Sequence, residues 1–261
     1  MMGISIAGFD PSGGAGIIAD MKTFNALGIH GTSAITALTA QNPNKVFSLM
    51  PINGKYIEEQ IDSIFDGYGD YISYGKTGML YSAEIIKTVA KKIKEYDINV
   101  VVDPVMVASA GGSLLKEEHK IQKAKEEIAN SFKKYLLPHC LITTPNVHEA
   151  EILSGIKIKT PEDAKKAAYK IGKIANVIIT GGHLKGVNTI FNKSNNKITT
   201  IKKPLIETNN VHGSGCSFSA ALAGYIIRGS ALNEAIKKAL DFTEIAIKNG
   251  QYGTLNQIES Y

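Results

Sequence analysis

The sequence contains almost no arginine. Arg228 is the only arginine among 29 basic residues, so lysine supplies nearly all of the positive charge behind the formal net charge of +5. Proteins that read nucleic acids usually concentrate arginine on one face and place aromatic residues between the charges. Here the lysines are scattered through helix-like segments such as 91–94 and 165–166, which is typical of a solvated surface. We therefore expect no nucleic-acid partner, and the mild positive charge favours a small anionic ligand.

Cysteine is scarce as well. Cys140 and Cys216 offer neither a disulfide framework nor the spacing of metal ligands, which favours two free thiols in a reducing compartment. The apolar run at residues 4–7 has no basic segment before it and meets Asp10 and Pro11 soon after, so it resembles neither a signal peptide nor a membrane span. These absences predict a cytoplasmic protein with no membrane partner.

Short apolar runs rich in β-branched residues alternate along the chain with segments that have a helical pattern. This alternation predicts one α/β domain over residues 1–261, with a mostly parallel central sheet and helices on both faces. Ligands of such sheets bind at the carboxyl ends of the strands. The predicted strands are 4–7, 32–38, 71–74, 100–102, 141–143 and 177–179, with a hairpin of 189–191 and 198–201; the predicted helices include 56–65, 82–96, 117–137, 160–174, 214–228 and 232–249.

The segment 211–216 has the pattern of an anion-binding turn. Gly213, Ser214 and Gly215 lead directly into an apolar helical run, so free amide N–H groups and the positive end of the helix dipole should converge on a phosphoryl group. Cys216 falls in the first turn of that helix, where the dipole is expected to lower the pKa of the thiol and favour proton acceptance or nucleophilic attack. The alternative is that Cys216 is a small buried residue without a chemical role.

A second glycine-rich loop, residues 8–16, follows the first predicted strand. Its glycines allow close approach of the backbone to a ligand, and Asp20 lies one helical turn further on. Residues 14–19 also match a dinucleotide-binding fingerprint, but that site needs an acidic residue about twenty positions later, and none occurs between Asp20 and Glu58. Dinucleotide binding is therefore disfavoured.

Residues 75–77 are similar to the end of a phosphate-binding P-loop. The glycine required five positions earlier is absent, because Asp70 stands there, and this interpretation fails. Two other strand ends carry oxygen ligands. Asp103 follows an apolar strand and could hold Mg²⁺ through water, while Asn146 and Glu149 lie three residues apart at a helix start. Both segments are equally compatible with ordinary turn and helix-capping roles.

The order and spacing of these segments resemble the ribokinase-like superfamily, and specifically the hydroxymethylpyrimidine phosphate kinases of thiamine biosynthesis, which are close relatives of the pyridoxal kinases. The resemblance extends over nearly the whole chain. It rests on residues 6–16 with Asp20, and on 22–24, 35–42, 78–80, 103–106, 146–149, 181–183 and 212–216.

The resemblance implies a ribokinase-like fold, ATP and Mg²⁺ as cofactors, a small-molecule pyrimidine substrate and a homodimer or higher homo-oligomer. It assigns the transferring phosphoryl group to Gly213, Ser214, Gly215 and Cys216, with Cys216 as the base. It assigns the pyrimidine to Gly8, Asp20, Gln41, Met79 and Val107; the nucleotide to Asn146, Glu149, Thr180, Gly182 and His212; and the metal to Asp103 and Glu149. His183 is a further possible phosphate partner.

One position departs from the family pattern. Close members often have lysine where this chain has Thr180, which removes a cation expected near the nucleotide phosphates. The function expected from the resemblance is an ATP-dependent kinase that phosphorylates 4-amino-5-hydroxymethyl-2-methylpyrimidine and then its monophosphate. The alternatives are a pyridoxine or pyridoxal kinase of the same fold and a non-catalytic pyrimidine-binding sensor. Hydrolysis by Cys216 with His212 is disfavoured, because neighbouring residues at a helix entry rarely place an imidazole on the adjacent sulfur.

Overall fold

The computed structural model describes residues 1–106 and 118–258. One sheet runs through this part of the chain in the order β3-β2-β1-β4-β5-β6-β7-β8-β9. The strands are β1 (Met2–Phe9), β2 (His30–Asn42), β3 (Lys45–Pro51), β4 (Tyr74–Thr77), β5 (Asn99–Val102), β6 (Cys140–Thr143), β7 (Val177–Ile179), β8 (Val187–Asn192) and β9 (Lys197–Lys202). The six central strands, β2, β1, β4, β5, β6 and β7 in sheet order, are parallel to one another. Antiparallel strands flank them, with β3 next to β2 on one side and β8 and β9 next to β7 on the other.

Helices cover both faces of this sheet. They are α1 (Gly16–Ala26), α2 (Gly54–Tyr68), α3 (Ala83–Glu95), α4 (Glu118–Ser131), α5 (Val147–Ser154), α6 (Pro161–Gly172), α7 (Ser214–Ile227) and α8 (Leu232–Lys248). On β5, Val100 and Val102 pack into the core beneath α2–α6, whereas Val101 packs into the core beneath α1, α7 and α8. This alternation places every central strand between two apolar layers, as a parallel sheet requires. The predicted fold class is confirmed.

Local sequence signals account for several helix starts. Thr160 accepts a hydrogen bond from the amide of Asp163 and Pro161 is the first helical residue, as the sequence predicts for α6. Asn146 caps α5 in a reciprocal capping box with Glu149. The hairpin predicted near residues 189–201 is present as β8 and β9.

Two predicted elements are wrong. The strand expected at 71–74 lies later, over Tyr74–Thr77, so Lys76 occupies the middle of the sheet. The second strand does not end near Leu38 but continues to Asn42 and pairs with β3, which the sequence analysis missed. Strand β3 is an edge strand and is mostly exposed, so its sequence has no regular apolar pattern that would distinguish it from a loop.

Within the described part of the chain, no helix combines the length and the apolar character needed to cross a bilayer.

Candidate active site

The turn before α7 packs directly against the first glycine-rich loop. Gly213 has a φ of 88°, and a Cβ atom built there would overlap the carbonyl oxygen of Gly14. A Cβ on Gly14 would in turn lie 2.5 Å from Cδ2 of His212. Glycine is thus required on both sides of this contact, which lets two backbone segments far apart in sequence form one continuous wall.

Two cavities meet at this turn. The Gln41 cavity, of about 170 Å³, is lined by residues of the first loop, the β2–β3 hairpin and the α7 turn, among them Gly8, Asp10, Gln41, Met79, His212 and Cys216. The Thr180 cavity, of about 390 Å³, is lined by residues that include Thr180, Gly182, His183, Lys203, Ser214 and Gly215. Consecutive residues of one turn therefore face different cavities, and the turn is where the contents of the two cavities can meet.

The first turn of α7 gives this junction its electrostatic character. The first N–H groups of a helix have no acceptor within the helix, and the dipole of α7 adds partial positive charge at the same end. The amide of Ser214 donates a hydrogen bond to the carbonyl of Val211 at 3.1 Å, and the amide of Ser217 donates to the carbonyl of Gly213 at 2.8 Å. The amides of Gly215 and Cys216 thus lie at the positively polarised end of the helix, where a phosphoryl group can be held.

Asp10 anchors the loop that lines the Gln41 cavity. Its carboxylate accepts hydrogen bonds from the amides of Ser12 and Ala15 at 2.8 and 2.9 Å, and Oδ2 lies 2.7 Å from Nε2 of His212. Burial opposes ionisation, but the hydrogen bonds from His212, Gln41 and Ser12 dominate and lower the pKa of Asp10. This carboxylate was not singled out in the sequence, although an Asp followed two residues later by Ser in a glycine loop is a common loop-anchoring pattern.

The predicted low pKa of Cys216 is wrong. Burial raises the pKa of this thiol to about 12, although Lys76 and a hydrogen bond from the amide of Gly16 act in the opposite direction. Desolvation disfavours the thiolate more strongly here than the start of α7 favours it. Cys216 is therefore a neutral thiol until charges near it change.

Asp20 does not lie where the resemblance suggests. Its side chain is fully buried, accepts a hydrogen bond from the hydroxyl of Ser5 at 2.6 Å, and is held by Nζ of Lys76 at 2.8 and 2.9 Å from its two oxygens. Since these partners occupy the carboxylate, we correct the expectation of a substrate contact by Asp20. Lys76 is a functional candidate that was not predicted from the sequence, because its position after Gly75 indicated only the end of a P-loop.

Asp103 and Glu149 form a buried acidic pair near the same turn. Ser219 donates a hydrogen bond to Oδ2 of Asp103 at 3.1 Å, and burial raises the pKa of Asp103 to about 6. Burial, together with the charge of Asp103, raises the pKa of Glu149 to about 8. Glu149 also accepts the amide hydrogen of Asn146 at 2.9 Å, so the capping role that the sequence left open is present in the structure.

The Thr180 cavity has both polar and apolar residues in its lining. Thr180 and Gly182, which follow β7, belong to this lining, as do the apolar side chains of Leu205 and Ile247. Among the described residues that line this cavity, the lysine is Lys203, and its ammonium is paired with Asp241 and Glu244. Position 180 itself thus offers a hydroxyl and no charge.

The other predicted residues separate into groups. Gly8, Gln41 and Met79 line the Gln41 cavity, and Val107 lies outside the described residues. His212 lines the Gln41 cavity, whereas the nucleotide role expected for it would place it with Thr180. Asn146, Glu149 and Asp103 line neither cavity. Asp103 lies close to the wall that Gly215 belongs to, since a Cβ on Gly215 would be 3.9 Å from Oδ2 of Asp103.

Residues 10–258 match the model of the phosphomethylpyrimidine kinase family. The chain belongs to this family. A hydroxymethylpyrimidine/phosphomethylpyrimidine kinase of Bacillus subtilis is 40% identical over 252 residues, which cover 94% of this chain and 89% of that protein. This confirms the family resemblance and the kinase class expected from the sequence.

Other members of this kinase group are nearly as similar. A pyridoxine kinase of Bacillus subtilis is 38% identical over 255 residues, covering 94% of this chain and 89% of that protein. The structure of an ADP complex of Bacillus subtilis pyridoxal kinase superposes with a TM-score of 0.85 at 37% identity, covering 98% of this chain and 94% of that one. Overall identity therefore establishes the fold and the kinase family but does not by itself separate the two substrate classes.

Proposed function

We propose that this protein transfers the γ-phosphoryl group of ATP to 4-amino-5-hydroxymethyl-2-methylpyrimidine and then to its monophosphate, in the biosynthesis of thiamine. The observation that carries this proposal is the division of a single turn between two cavities. Ser214 and Gly215 face the larger cavity, and Cys216 faces the smaller one together with Gln41. A nucleotide and a one-ring alcohol bound on the two sides would meet at the amides of this turn.

Phosphoryl transfer mainly requires that the two reactants are aligned and that the negative charge on the transferring group is neutralised. The amides of Gly215 and Cys216 neutralise charge on the transferring group. The hydroxymethyl oxygen forms the new bond to phosphorus, the bond from phosphorus to the bridging oxygen of ATP breaks, and ADP leaves. The proton of the hydroxymethyl group passes to the sulfur of Cys216, which must be a thiolate to accept it.

Gln41 suits the pyrimidine edge. Its amide group is both a donor and an acceptor, and an aminopyrimidine presents both kinds of partner. The hydrogen bond from Gln41 to Asp10 holds the amide in one orientation, which leaves its carbonyl free to accept from the exocyclic amine. Gly8 and Met79 line the same cavity, and glycine at position 8 leaves room for the Met79 side chain, since a Cβ there would overlap its methyl group.

The acidic pair fits a magnesium ion. Within the described residues no cluster of three or more metal-ligating side chains occurs, and Mg²⁺ typically uses one or two carboxylates together with phosphates and water. Burial and the charge of Asp103 raise the pKa of Glu149, and a cation held by the two carboxylates would favour their ionised forms. When bound, Mg²⁺ neutralises charge on the nucleotide phosphates; Asp103 and Glu149 would hold it, and Asn146 orients Glu149.

A pyridoxine or pyridoxal kinase is the second candidate. It is favoured by the 38% identity to the Bacillus subtilis pyridoxine kinase. Both substrates are single aromatic rings with a hydroxymethyl group, and the same turn can serve either. Discrimination must therefore come from the residues facing the ring edge, Gln41 above all.

ADP release measured with the hydroxymethylpyrimidine, its monophosphate and pyridoxal in parallel tests the proposal. We expect turnover with both pyrimidines and a much lower kcat/KM for pyridoxal. Turnover of pyridoxal alone would establish the second candidate, and calorimetric binding of the pyrimidine without ATP hydrolysis would establish a non-catalytic sensor. Gln41→Leu, which removes the carbonyl that would accept from the exocyclic amine, should weaken pyrimidine binding far more than ATP binding.

We also propose that the enzyme works in the cytoplasm as a homodimer or a higher homo-oligomer. Both described cysteines are free thiols, which fits a reducing compartment. The edge strand β3 exposes Phe47 and Met50 by more than half of their surface, and apolar side chains on an open sheet edge favour pairing with another chain. Light scattering after size-exclusion chromatography tests the oligomer: a single peak at 28.0 kDa contradicts it.

A further inference from the structure

A complete ion pair lies inside the molecule beneath the Gln41 cavity. The side chains of Lys76 and Asp20 are both fully excluded from solvent, and Lys76 contacts both carboxylate oxygens. Removing two charges from water costs several kcal/mol each, and an apolar pair of similar volume often serves stability equally well. Stability alone thus gives little reason for this pair, so its location needs another explanation.

The location is next to the reacting groups. Lys76 lies on β4 in the centre of the sheet, and α7, which carries Cys216, packs against β4 and β5. A Cβ on Gly78 would be 3.1 Å from Nζ of Lys76, and Gly78 lines the Gln41 cavity together with Cys216. The ammonium group therefore lies just behind the cavity wall.

We propose that Lys76 is a positioning residue for proton transfer: its buried charge favours the thiolate of Cys216, and Asp20 moderates that charge. The inference deepens the proposed function, because it explains how the half-buried thiol of Cys216 becomes able to take the proton of the alcohol. The rate at which Cys216 is alkylated tests this inference without any kinase turnover.

Among the charged groups of the described residues that act on Cys216, Lys76 is the cation that favours the thiolate. Asp20 on α1 and Asp103 after β5 both oppose ionisation of the sulfur, and Lys76 on β4 promotes it. Asp10 and His212 line the same cavity, but they are paired with each other. Since Asp20 bonds Lys76 directly, it cancels part of the positive charge that Cys216 would otherwise feel.

A purely structural role and an electrostatic role predict different results. If the pair only holds α1 on β4, Lys76→Met and Asp20→Asn disturb the site in the same way. If its charge acts on Cys216, the first substitution removes the favourable cation and the second removes an opposing anion. The two variants must then change the thiolate population in opposite directions.

The experiment measures how fast Cys216 reacts with iodoacetamide, a neutral reagent that reports the thiolate. The background is Cys140→Ser, so that one thiol remains, and Cys140→Ser with Cys216→Ser gives the blank. Rates are taken from pH 7 to 10 for Lys76→Met, Asp20→Asn and the double variant, with thermal unfolding as a check on folding. We expect at pH 8 a rate about tenfold lower for Lys76→Met and several-fold higher for Asp20→Asn, since one unit of pKa is a tenfold change in thiolate.

The double variant separates charge from loosening of the structure. If Asp20→Asn reacts faster because of its charge, removing Lys76 as well brings the rate back down; if it reacts faster because the site opens, the double variant stays fast and the inference is overturned. Equal rates in all variants, or rates that fall in both single variants, overturn it as well. If Lys76→Met does not fold, Asp20→Asn and Lys76→Arg, which keeps the charge, test the inference instead. The alkylation rate of Cys216 must then rise in Asp20→Asn and stay near the wild-type value in Lys76→Arg.

Kinase turnover adds a separate outcome. If the proposed function holds, kcat for the pyrimidine falls in Lys76→Met with little change in KM, and the pH at which kcat reaches half of its maximum moves upward. Absence of pyrimidine turnover in the wild type would refute the proposed function while leaving the alkylation result, and thus the electrostatic link, intact.

Discussion

Nε2 of His212 lies 2.7 Å from Oδ2 of Asp10, although 202 positions of sequence separate the two residues. The pair ties the first glycine loop to the turn before α7 at the point where Gly213 meets Gly14. It thereby holds the wall of the Gln41 cavity to the segment that carries the phosphoryl-binding amides. Both the stability and the activity of this enzyme should depend on it.

The first prediction concerns Asp10→Asn and its pH dependence. The pKa of Asp10 is lowered in the folded protein, so its ionisation stabilises the fold above pH 3.8, its ordinary value, and this stabilisation is lost as the pH falls further. Urea unfolding at pH 7 should show a loss of about 1–3 kcal/mol in the variant. At pH 3 the gap between the two proteins should narrow by about 1 kcal/mol.

Asp66→Asn is the matched control for this measurement, since Asp66 is exposed on α2. Its difference from wild type should stay within about 0.5 kcal/mol at both pH values. A gap for Asp10→Asn that is constant or widens toward low pH would contradict the assigned role.

The second prediction compares two glycines with the same backbone angle. Gly213 and Gly229 both have a φ of 88°, but a Cβ on Gly213 overlaps Gly14, whereas a Cβ on Gly229 meets nothing within 4 Å. Gly229→Ala should cost about 1–2 kcal/mol from backbone strain alone and leave kinase activity in place. Gly213→Ala should cost more and reduce kcat by at least tenfold, because the turn must move away from the loop.

Thermal unfolding and ADP release on the two purified variants check this prediction. Equal losses of stability and activity would show that the close approach at Gly213 has no special role.

The third prediction is the effect of Cys216→Ala. Removing a group that takes a proton in phosphoryl transfer should lower kcat by about 10²–10⁴-fold. The affinity for the pyrimidine, measured by calorimetry, should change by less than about threefold, because the thiol is only one of many groups that line the cavity. If kcat and affinity decline to the same extent, Cys216 only shapes the cavity.

The fourth prediction concerns Glu149 and the absence of a metal ion. The pKa of Glu149 is raised to about 8 in the folded protein, from an ordinary value of 4.5, so between these pH values ionisation favours the unfolded chain. In magnesium-free buffer, the wild type should lose stability relative to Glu149→Gln as the pH rises from 5 to 8, by at most about 1.4 kcal/mol per pH unit.

Urea unfolding at pH 5, 6.5 and 8 measures this trend, with Glu162→Gln on the exposed first turn of α6 as the control. The control should follow the wild type at every pH. Adding Mg²⁺ with nucleotide should remove the trend in the wild type, and a pH-independent difference between wild type and Glu149→Gln would refute it.

The amino-acid sequence by itself determined the succession of strands and helices and the turn at residues 211–216. These are local properties, since periodicity, capping residues such as Thr160 and Asn146, and paired glycines act within a few positions of the chain. The family resemblance likewise followed from short segments in a fixed order. Strand β3 was not predicted, because an exposed edge strand has no strong local hydrophobic pattern.

The tertiary structure alone decided the charge state of the site. In the sequence, Cys216 lies at the start of a helix, which favours its thiolate, and Asp20 lies close to a glycine loop, which predicts a contact with a ligand. Only the packed sheet shows that Cys216 is desolvated and that Asp20 is bound to Lys76 on a strand 56 positions later. Burial and the distances between charges set these energies, and both arise from contacts between segments that the linear order does not bring together.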